Sequence, residues 1–400
     1  MRYSRGIICI ALLLCLLLPL PASAQDTEQA EPDYAKLRLD TEGFNPAHRC
    51  GACHIDIYAH WRESMHARAM TDPAFLATFR AKRIQEDPAL RAQCLSCHAP
   101  TMHYDPRLDL GAEVVQDGVT CDFCHSVQGL DPANPERPFE VKWGKLKRGS
   151  LKDTQSPVHE TRHLELFGKS EFCGVCHEMK NAKGLPIITT YSEWKDGAYG
   201  RDGKAHCQEC HMPLAAGFTV SEQHRKTKRR INLHSFPGGH SRSQLLDALA
   251  LEILEESKLY GRMKVKLGLT NAGAGHAVPT GNPLRRVIVD FSAYSATNRL
   301  IYNEKVDISR RFADDAGVEL TTDEAILLDA TRVLKDNRIA PGETRVLEFE
   351  FGAPHERLLV DVKVIYVYDN EAFPGLARDE KLISFTQVVN RVAGRPGGRE

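Results

Sequence analysis

The sequence predicts an α+β protein of two parts. A mainly α-helical or irregular domain comes first, and an all-β domain with an immunoglobulin-like sandwich follows it. Three observations lead to this prediction. The pentapeptide Cys-x-x-Cys-His occurs five times before residue 212 and not afterwards. After His240, apolar and polar residues alternate with a period of two. Turn-forming residues separate these alternating segments, which is typical of short strands.

The five pentapeptides match the c-type haem attachment motif. Two cysteines three positions apart on one helical turn present both sulfurs to the vinyl groups of one haem. The next histidine then reaches the iron as its proximal ligand. The sequence therefore predicts five covalently attached haems c, each with one iron. The attachment residues are Cys50, Cys53, Cys94, Cys97, Cys121, Cys124, Cys173, Cys176, Cys207 and Cys210, and the proximal ligands are His54, His98, His125, His177 and His211.

The cysteine count favours haem over other uses of cysteine. Of twelve cysteines, ten belong to the five motifs, and Cys9 and Cys15 lie in an apolar N-terminal run. Zinc would need four-ligand sites, into which five pairs do not divide evenly. A disulfide within each pair would constrain almost nothing, although export would permit it. No thiol remains for a catalytic nucleophile.

The first 24 residues resemble a cleaved signal peptide. Arg2 and Arg5 precede an apolar run over 6–20, and Ala22-Ser23-Ala24 gives a cleavage site before Gln25. An uncleaved anchor is the alternative, but the run is shorter than about 18 residues. We expect a periplasmic protein, or a secreted or cell-surface one, with no membrane span in the mature chain.

The charge balance argues against a nucleic-acid partner. Removal of residues 1–24 takes away two arginines and leaves 50 basic against 53 acidic side chains. Each ferric haem adds about one further negative charge, so the loaded protein is acidic. The basic runs 142–152 and 225–230 are interpreted either as solvated loops or as partners of haem propionates or an acidic redox protein.

Residues 25–240 are predicted to form the pentahaem cytochrome domain. These 216 residues leave about 43 for each motif, too few for conventional hydrophobic layers. The porphyrins must then supply much of the apolar interior. Ile57, Trp61 and Met65 predict a helix over 55–70. Proline pairs predict a loop over 131–138.

Residues 241–390 are predicted to form the β-sandwich domain, and 391–400 a flexible tail. Six or seven short strands support this, with a small open barrel as the alternative. The segment Leu245–Leu254 fits a helix, a strand, or a helix that runs into a strand. The predicted strands cover 263–269, 287–294, 300–308, 346–351 and 360–368, and turn signals lie at 296–298 and 340–342.

The ordered surroundings of the motifs resemble multihaem cytochromes related to tetrahaem cytochrome c-554. This resemblance implies a multihaem electron-transfer fold with closely packed haems and mostly bis-histidine iron. The fifth motif and the β domain depart from a tetrahaem pattern. The matching segments are Cys50-x2-Cys53-His54-x3-Tyr58-x2-Trp61-x2-Ser64-x-His66, Gly118-Val-Thr-Cys121-x2-Cys124-His125, Phe172-Cys173-x2-Cys176-His177, Thr190-Tyr191-x-Glu193-Trp194, Cys207-x2-Cys210-His211-Met212-Pro213, Phe236-Pro-Gly-Gly-His240 and Gly273-Ala-Gly-His276-x2-Pro-Thr-Gly281.

Twelve histidines remain for the sixth iron positions, since five of the seventeen are proximal. His66, His276, His234 and His240 are the leading distal candidates, and either His159 or His163 is expected to fill the fifth position. The surplus favours complete bis-histidine ligation. Weaker candidates are His48, His103, His206, His224, His355, Met102 and Met212.

Three functions are consistent with this pattern. The favoured one is an electron relay between periplasmic or membrane-bound donor and acceptor proteins, which requires no acid–base catalytic residue. The alternative is an oxidoreductase that acts on a small nitrogen or sulfur compound at a haem with an open sixth position. Every motif ends in histidine, and none ends in the lysine associated with multihaem nitrite reductases, which counts mildly against the oxidoreductase. The third is a subunit of an extracellular cytochrome assembly. The sequence leaves the oligomeric state open.

Overall fold

A computed structural model describes residues 38–152, 154–220, 229–353, 358–368 and 383–385. The predicted signal peptide (1–24) and tail (391–400) lie outside the described residues, as do His224 and His355. Within the described ranges, the helices are all too short or too polar to cross a membrane.

The motif region, residues 38–240, consists of short helices joined by turns and small two-stranded sheets. Its helices are α1 (Ala47–Gly51), α2 (Ile55–Arg62), α3 (Pro73–Phe79), α4 (Lys82–Glu86), α5 (Pro88–His98), α6 (Pro100–Tyr104), α7 (Glu113–Gln116), α8 (Cys121–Ser126), α9 (Ser170–Gly174), α10 (Thr190–Asp196), α11 (Ala198–Arg201) and α12 (Cys207–His211), with a 3-10 turn at Glu165–Gly168. Its strands are β1 (Val127–Leu130), β2 (Phe139–Val141), β3 (Leu146–Gly149), β4 (Glu160–His163), β5 (Met179–Lys180), β6 (Pro186–Ile188), β7 (Leu214–Gly217) and β8 (Arg229–Asn232).

Each motif includes a short helical segment. The longest, α5, begins where Pro88 follows Asp87, whose carboxylate accepts the backbone N–H groups of Ala89 (2.8 Å) and Leu90 (3.2 Å). The other motif helices have only five or six residues. Helices this short are not stable alone, so tertiary contacts must hold them.

The predicted helix over 55–70 is wrong in its second half, because α2 ends at Arg62. Two long-range bonds replace the helical ones. The Trp61 indole N–H donates to the Val119 carbonyl (2.9 Å), and the Val119 N–H donates to the His66 carbonyl (3.0 Å). They tie this segment to the turn just before the third motif. The predicted loop over 131–138 is present as the connection between β1 and β2.

The β region, from residue 241 onward, contains two antiparallel sheets. One has the order β15-β10-β9, and the other has β13-β12-β11-β16-β17 with β14 beside β12. Leu245–Leu254 is a helix that runs into a strand. The elements are α13 (Arg242–Ala248), β9 (Leu249–Leu259), β10 (Arg262–Asn271), β11 (Arg285–Ser295), β12 (Leu300–Ala313), β13 (Glu319–Leu320), α14 (Asp323–Asp329), β14 (Arg332–Asp336), β15 (Thr344–Gly352), β16 (Leu358–Tyr368) and β17 (Ile383–Phe385).

The two sheets pack face to face around one apolar core. Val265 and Leu267 of β10 and Val289 of β11 are fully buried within it. Across the sheets, the rings of Phe291 and Phe349 stack with centroids 4.2 Å apart and planes within 5°. A two-layer sandwich is therefore present, while the immunoglobulin-like assignment is not confirmed. The strands exceed the predicted six or seven because β13, β14 and β17 are short additions.

The motif region and the β region are joined by polar contacts. Arg83 of α4 makes a bidentate ion pair with Asp329 of α14, with both N–O distances 2.7 Å. The Asn181 amide donates to the carbonyls of Ile326 (3.2 Å) and Ala330 (2.8 Å). The β region thus lies against the motif region.

Phe291→Ala should destabilise the β region by about 3–5 kcal/mol, because the substitution removes a fully buried ring and leaves a cavity. Urea unfolding followed by far-ultraviolet circular dichroism measures this loss. Leu300→Ala is the control, since Leu300 is 53% exposed and should cost no more than about 0.5 kcal/mol. Equal losses in the two variants would contradict the assigned core.

Candidate haem sites

The five motifs line one continuous cavity of about 2210 Å³. All ten motif cysteines and all five motif histidines contribute to its wall. Pockets for a single small molecule usually occupy about 300–1,000 Å³. The cavity is thus large enough for several bulky groups. The ten thiols are unpaired, and the described residues contain no cluster of three or more His, Cys, Asp or Glu side chains suited to a metal ion.

Unsatisfied polar atoms on the cavity wall also fit a bound cofactor. The Thr120 hydroxyl and the Gln208 amide oxygen are buried, and neither has a hydrogen-bond partner among the described residues. Thr120 immediately precedes Cys121, and Gln208 immediately follows Cys207. A buried polar atom without a partner is costly, so a polar group within the cavity would lower that cost. The residues therefore fit covalently attached haem.

The influence of one thiol on another indicates the spatial order of the motifs. Cys50 raises the pKa of Cys121, Cys176 lowers that of Cys97, and Cys207 raises that of Cys173, so the two thiols of each pair lie near each other. The first motif thus adjoins the third, and the fourth adjoins both the second and the fifth.

Cys124 of the third motif connects the pair formed by the first and third motifs with the group formed by the second, fourth and fifth motifs. Its negative charge would raise the pKa of Cys173 and of Cys176, which places the third motif beside the fourth. Burial raises the pKa of Cys124 itself to about 12, so this thiol is neutral before attachment.

Buried carboxylates explain why the first and third motifs meet. The Asp122 carboxylate of α8 accepts the backbone N–H (2.7 Å) and the side-chain amide (2.9 Å) of Asn45. The Asp117 carboxylate accepts the N–H of Ala47 (2.7 Å) at the start of α1. These bonds fix α1, with Cys50, against the chain that carries Cys121.

The same local unit occurs twice. After the first motif, the Tyr58 and Trp61 rings lie 5.7 Å apart, and the Trp61 indole reaches a carbonyl two residues before Cys121. After the fourth motif, Tyr191 and Trp194 also lie 5.7 Å apart, and the Trp194 indole donates to Ala205 (2.9 Å), two residues before Cys207. Each unit therefore couples one motif to the next one in space.

Glycine within these two motifs is required by the tyrosines. A Cβ atom at Gly51 would lie 2.6 Å from the Tyr58 ring, and one at Gly174 would lie 2.6 Å from the Tyr191 ring. Real Cβ contacts are not that short, so only glycine permits this packing.

Three pairs of histidine rings have the spacing of two ligands on opposite sides of one metal. A metal–imidazole bond is about 2.0–2.1 Å, and the nitrogen lies about 1.15 Å from the ring centre, so opposed ring centres are about 6.3 Å apart. His54 and His159 are 6.2 Å apart, His177 and His66 are 6.3 Å apart, and His211 and His276 are 6.2 Å apart. Each pair joins a motif histidine to a predicted distal candidate.

Backbone carbonyls fix the orientation of most of the motif histidines and of three of the distal candidates. A carbonyl can only accept, so each of the following Nδ1 atoms carries the hydrogen, and Nε2 is left free for a metal. The bonds run from Nδ1 of His54 to Thr219, of His98 to Ala69 (2.8 Å), of His125 to Arg148 (2.5 Å), of His211 to Pro237 (2.5 Å), of His159 to Glu160 (3.0 Å), of His234 to Asn232 (2.8 Å) and of His276 to Ala277 (3.0 Å).

Burial keeps the central rings neutral, which is the form that binds iron. Burial and the neighbouring histidines lower the pKa of His66 to about 3. Similar causes lower the pKa of His177 and of His234 to about 4.

The remaining distal candidates are placed differently. His234 lines the cavity, and the histidine that most strongly lowers its pKa is His125, so it lies beside the third motif. His240 is exposed at the cavity edge, with Nε2 3.3 Å from an Arg285 nitrogen. His163 is exposed away from the cavity wall, and its Nδ1 donates to the Ser150 carbonyl (3.1 Å). Of the two histidines that the sequence leaves open, the geometry favours His159.

The weaker candidates have other contacts. His48 pairs with Glu113 (2.8 Å) and His103 bonds the Glu136 carbonyl (2.8 Å). His206 lines the cavity, but its Nδ1 accepts the N–H of Ser170 (3.2 Å). Met102 packs against the apolar core of the motif region, and Met212 lines the cavity.

Two motif histidines pack on phenylalanine and have no histidine ring contact among the described residues: His125, whose ring centroid lies 5.3 Å from that of Phe167, and His98. His98 stacks on Phe75 with ring centroids 3.7 Å apart and planes within 9°. Its pKa is lowered by burial, and no histidine contributes to that shift. The ring contacts found among the described residues include none between His98 and another histidine.

Sequence reasoning overlooked His60. Its Nδ1 atom is buried without a hydrogen-bond partner in the described structure, and its nearness lowers the pKa of His234. His60 falls outside the i, i+4 pattern of Ile57 and Trp61, so helical periodicity gives no signal for it. Only the fold brings it toward the histidine cluster.

His159→Ala should convert one haem from low spin to high spin, because it removes the ring opposite His54. Electron paramagnetic resonance of the oxidised protein detects the change. His163→Ala is the matched control, only four positions away, and should leave the spectrum unchanged. The reverse result would show that His163 is the ligand.

Comparison with known proteins agrees with this geometry. The family model described as cytochrome c554 and c-prime matches residues 49–126, which contain the first three motifs. The penta-heme cytochrome c552 from Thermochromatium tepidum shares 22% identity with this chain, covers 88% of it and 97% of its own length, and superposes with a TM-score of 0.68. The putative ApaA protein from Bordetella pertussis has 10% identity over 37% of this chain and 94% of its own, with a TM-score of 0.21, too low to support any argument. No curated protein matches. The predicted resemblance is confirmed: residues 49–126 match the family model of cytochrome c554 and c-prime, and the chain has the fold of a multihaem c-type cytochrome.

Proposed function

We propose that this protein carries five haems c and relays electrons between redox partner proteins in the periplasm. The observation that carries the proposal is that all five motifs line one continuous cavity. A relay requires redox groups close enough to exchange electrons in succession, and one shared cavity would bring the attachment points together.

Bound haem c supplies reversible one-electron chemistry at iron. The protein side chains set the conditions for it. Paired imidazoles would occupy both axial positions and leave no position for a substrate. The bonds from Nδ1 to backbone carbonyls orient the rings and raise their basicity. Buried aromatic side chains such as Phe123 and Phe139 exclude water and so influence the reduction potential.

The contacts favour a branched arrangement rather than a linear one. The fourth motif adjoins the second, third and fifth, and the first adjoins the third. The first, second and fifth motifs then form three ends. Cys210 of the fifth motif is exposed, which supports this end as a point of exchange with a partner.

The export signal over 1–24 supports the periplasmic location, and a secreted or cell-surface location is compatible with it. We divide the mature chain into the pentahaem domain over 25–240 and the β-sandwich domain over 241–390. The donor and acceptor would be periplasmic or membrane-bound proteins. In an extracellular cytochrome assembly, the β domain would serve as the docking module.

A second candidate function rests on the second motif. Three motif histidines have a histidine ring 6.2–6.3 Å away, and burial together with the nearby His54 lowers the pKa of His125, whereas His98 packs on Phe75 and no histidine contributes to its pKa shift. An iron held by His98 alone would keep an open sixth position and could bind a small nitrogen or sulfur compound. This observation favours an oxidoreductase as the alternative.

A pyridine haemochrome assay on the purified exported protein should return five haems per chain. Cys207→Ala with Cys210→Ala should return four, because the fifth motif loses both attachment sulfurs. Glu209→Ala, an exposed change between the same cysteines, should keep five. Fewer than five haems in the unaltered protein would refute the pentahaem assignment.

Nitric oxide titration separates the relay from the oxidoreductase. If the second candidate holds, one haem per chain binds nitric oxide, and the variant Cys94→Ala with Cys97→Ala loses this binding while it keeps four low-spin haems. The relay with complete axial ligation expects no nitric oxide complex at any haem. Binding that persists in the double variant would exclude the second motif as the open site.

A further inference from the structure

The loop that carries His276 comes from a different region than the histidine that it faces. His211 ends α12 in the motif region, and His276 lies between β10 and β11 of the β region. The two rings are nearly parallel, with 13° between their planes. Since the residues belong to separate regions, their spacing depends on the contacts that hold the 276–280 loop against the motif region.

One carboxylate makes most of these contacts. Glu193 of α10 accepts the N–H of Ala277 (3.2 Å) and the hydroxyl of Thr280 (2.8 Å) at Oε2. At Oε1 it accepts Thr189 (2.6 Å) and the Arg338 guanidinium (2.6 Å). The Glu193 side chain is only 14% exposed.

Arg338 supplies the opposite charge from the β region. Its guanidinium contacts both oxygens of Asp336 at 2.9 Å and bonds Glu193, and its side chain is 12% exposed. It also donates to the Pro279 carbonyl (3.4 Å). Loss of the Arg338 charge would leave the buried Glu193 carboxylate without this cation, which is strongly unfavourable, whereas loss of Glu193 would leave Arg338 paired with Asp336 alone.

Other bonds secure the loop from within the β region. The Asn271 amide donates to the carbonyls of His276 (2.8 Å) and Ile339 (3.0 Å). These bonds fix the loop to its own sheets but not to α12. Contact with the motif region comes through Glu193 and through Thr190, whose hydroxyl lies 2.9 Å from that of Thr280.

We propose that Glu193 is a positioning residue that holds His276 at ligand distance from the iron bound by His211. The inference rests on the proposed function, since it requires haem at the fifth motif. It assigns to the ion pair of Glu193 and Arg338 a role in the coordination of that haem, in addition to its contribution to the domain interface.

Glu193→Ala tests this inference in the full-length holoprotein. Electron paramagnetic resonance should show one high-spin ferric haem with the signal that His276→Ala produces, while the haemochrome assay still returns five haems. The double variant Glu193→Ala with His276→Ala should match His276→Ala alone, because both changes act on the same ligand.

Arg83→Ala is the matched control. It breaks another ion pair between the two regions, that with Asp329, but touches nothing in the 276–280 loop. We expect all its low-spin signals to match those of the unaltered protein. A high-spin signal in Arg83→Ala equal to that of Glu193→Ala would show a general effect of the interface and overturn the positioning role.

If the Glu193→Ala protein does not accumulate, Thr280→Val replaces it as the test, because this substitution removes only one hydroxyl group from the loop. It should give the same high-spin species in a smaller fraction of molecules. A fully low-spin spectrum in the variant tested, with five haems present, overturns the proposal. If His276→Ala itself stays fully low-spin, the ligand assignment fails and the role of Glu193 with it. Absence of haem from the unaltered protein would instead refute the proposed function.

Discussion

The structure depends on pairs of histidine rings that come from distant parts of the chain and lie close to each other. His54 faces His159, His177 faces His66, and His211 faces His276, each at the distance that one metal between them requires. Short helices and turns cannot hold such pairs by their own stability. Buried polar contacts, such as Asn45 with Asp122, and tight aromatic packing do this instead. The motif region is therefore organised around these histidine pairs and not around conventional layers.

The β region contributes to this organisation directly. It supplies His276 from a loop and Leu328 to the apolar core of the motif region. The buried charges of Glu193 and Arg338 lie at the same interface. A buried ion pair is weak evidence for stability, but removal of one partner is strongly destabilising. The pair of Glu193 and Arg338 therefore makes the two regions depend on each other at the loop that carries His276.

The sequence allowed prediction of the local chemistry and of the regular strands. The attachment residues follow from a fixed spacing, and the alternation at Met263–Leu269 or Val360–Tyr368 depends only on neighbours in the chain. The helix over 55–70 was predicted too long because Val119, far away in sequence, takes the backbone bond at His66. The choice between His159 and His163 depends on β4, which pairs in parallel with β3, contains His163 and begins just after His159, so the two residues do not share a helical face. His60, Glu193 and Arg338 carry no local signal, since their partners are brought close only by the fold.

The position of His276 has a consequence for assembly of the protein. This residue follows all ten attachment cysteines in the chain, and a chain is synthesised and emerges from its N-terminus. If the fifth motif binds haem as we propose, attachment at Cys207 and Cys210 could therefore precede the approach of His276, which awaits folding of the later sheets. Maturation would then proceed in two stages, with chemical attachment first and spin state set last.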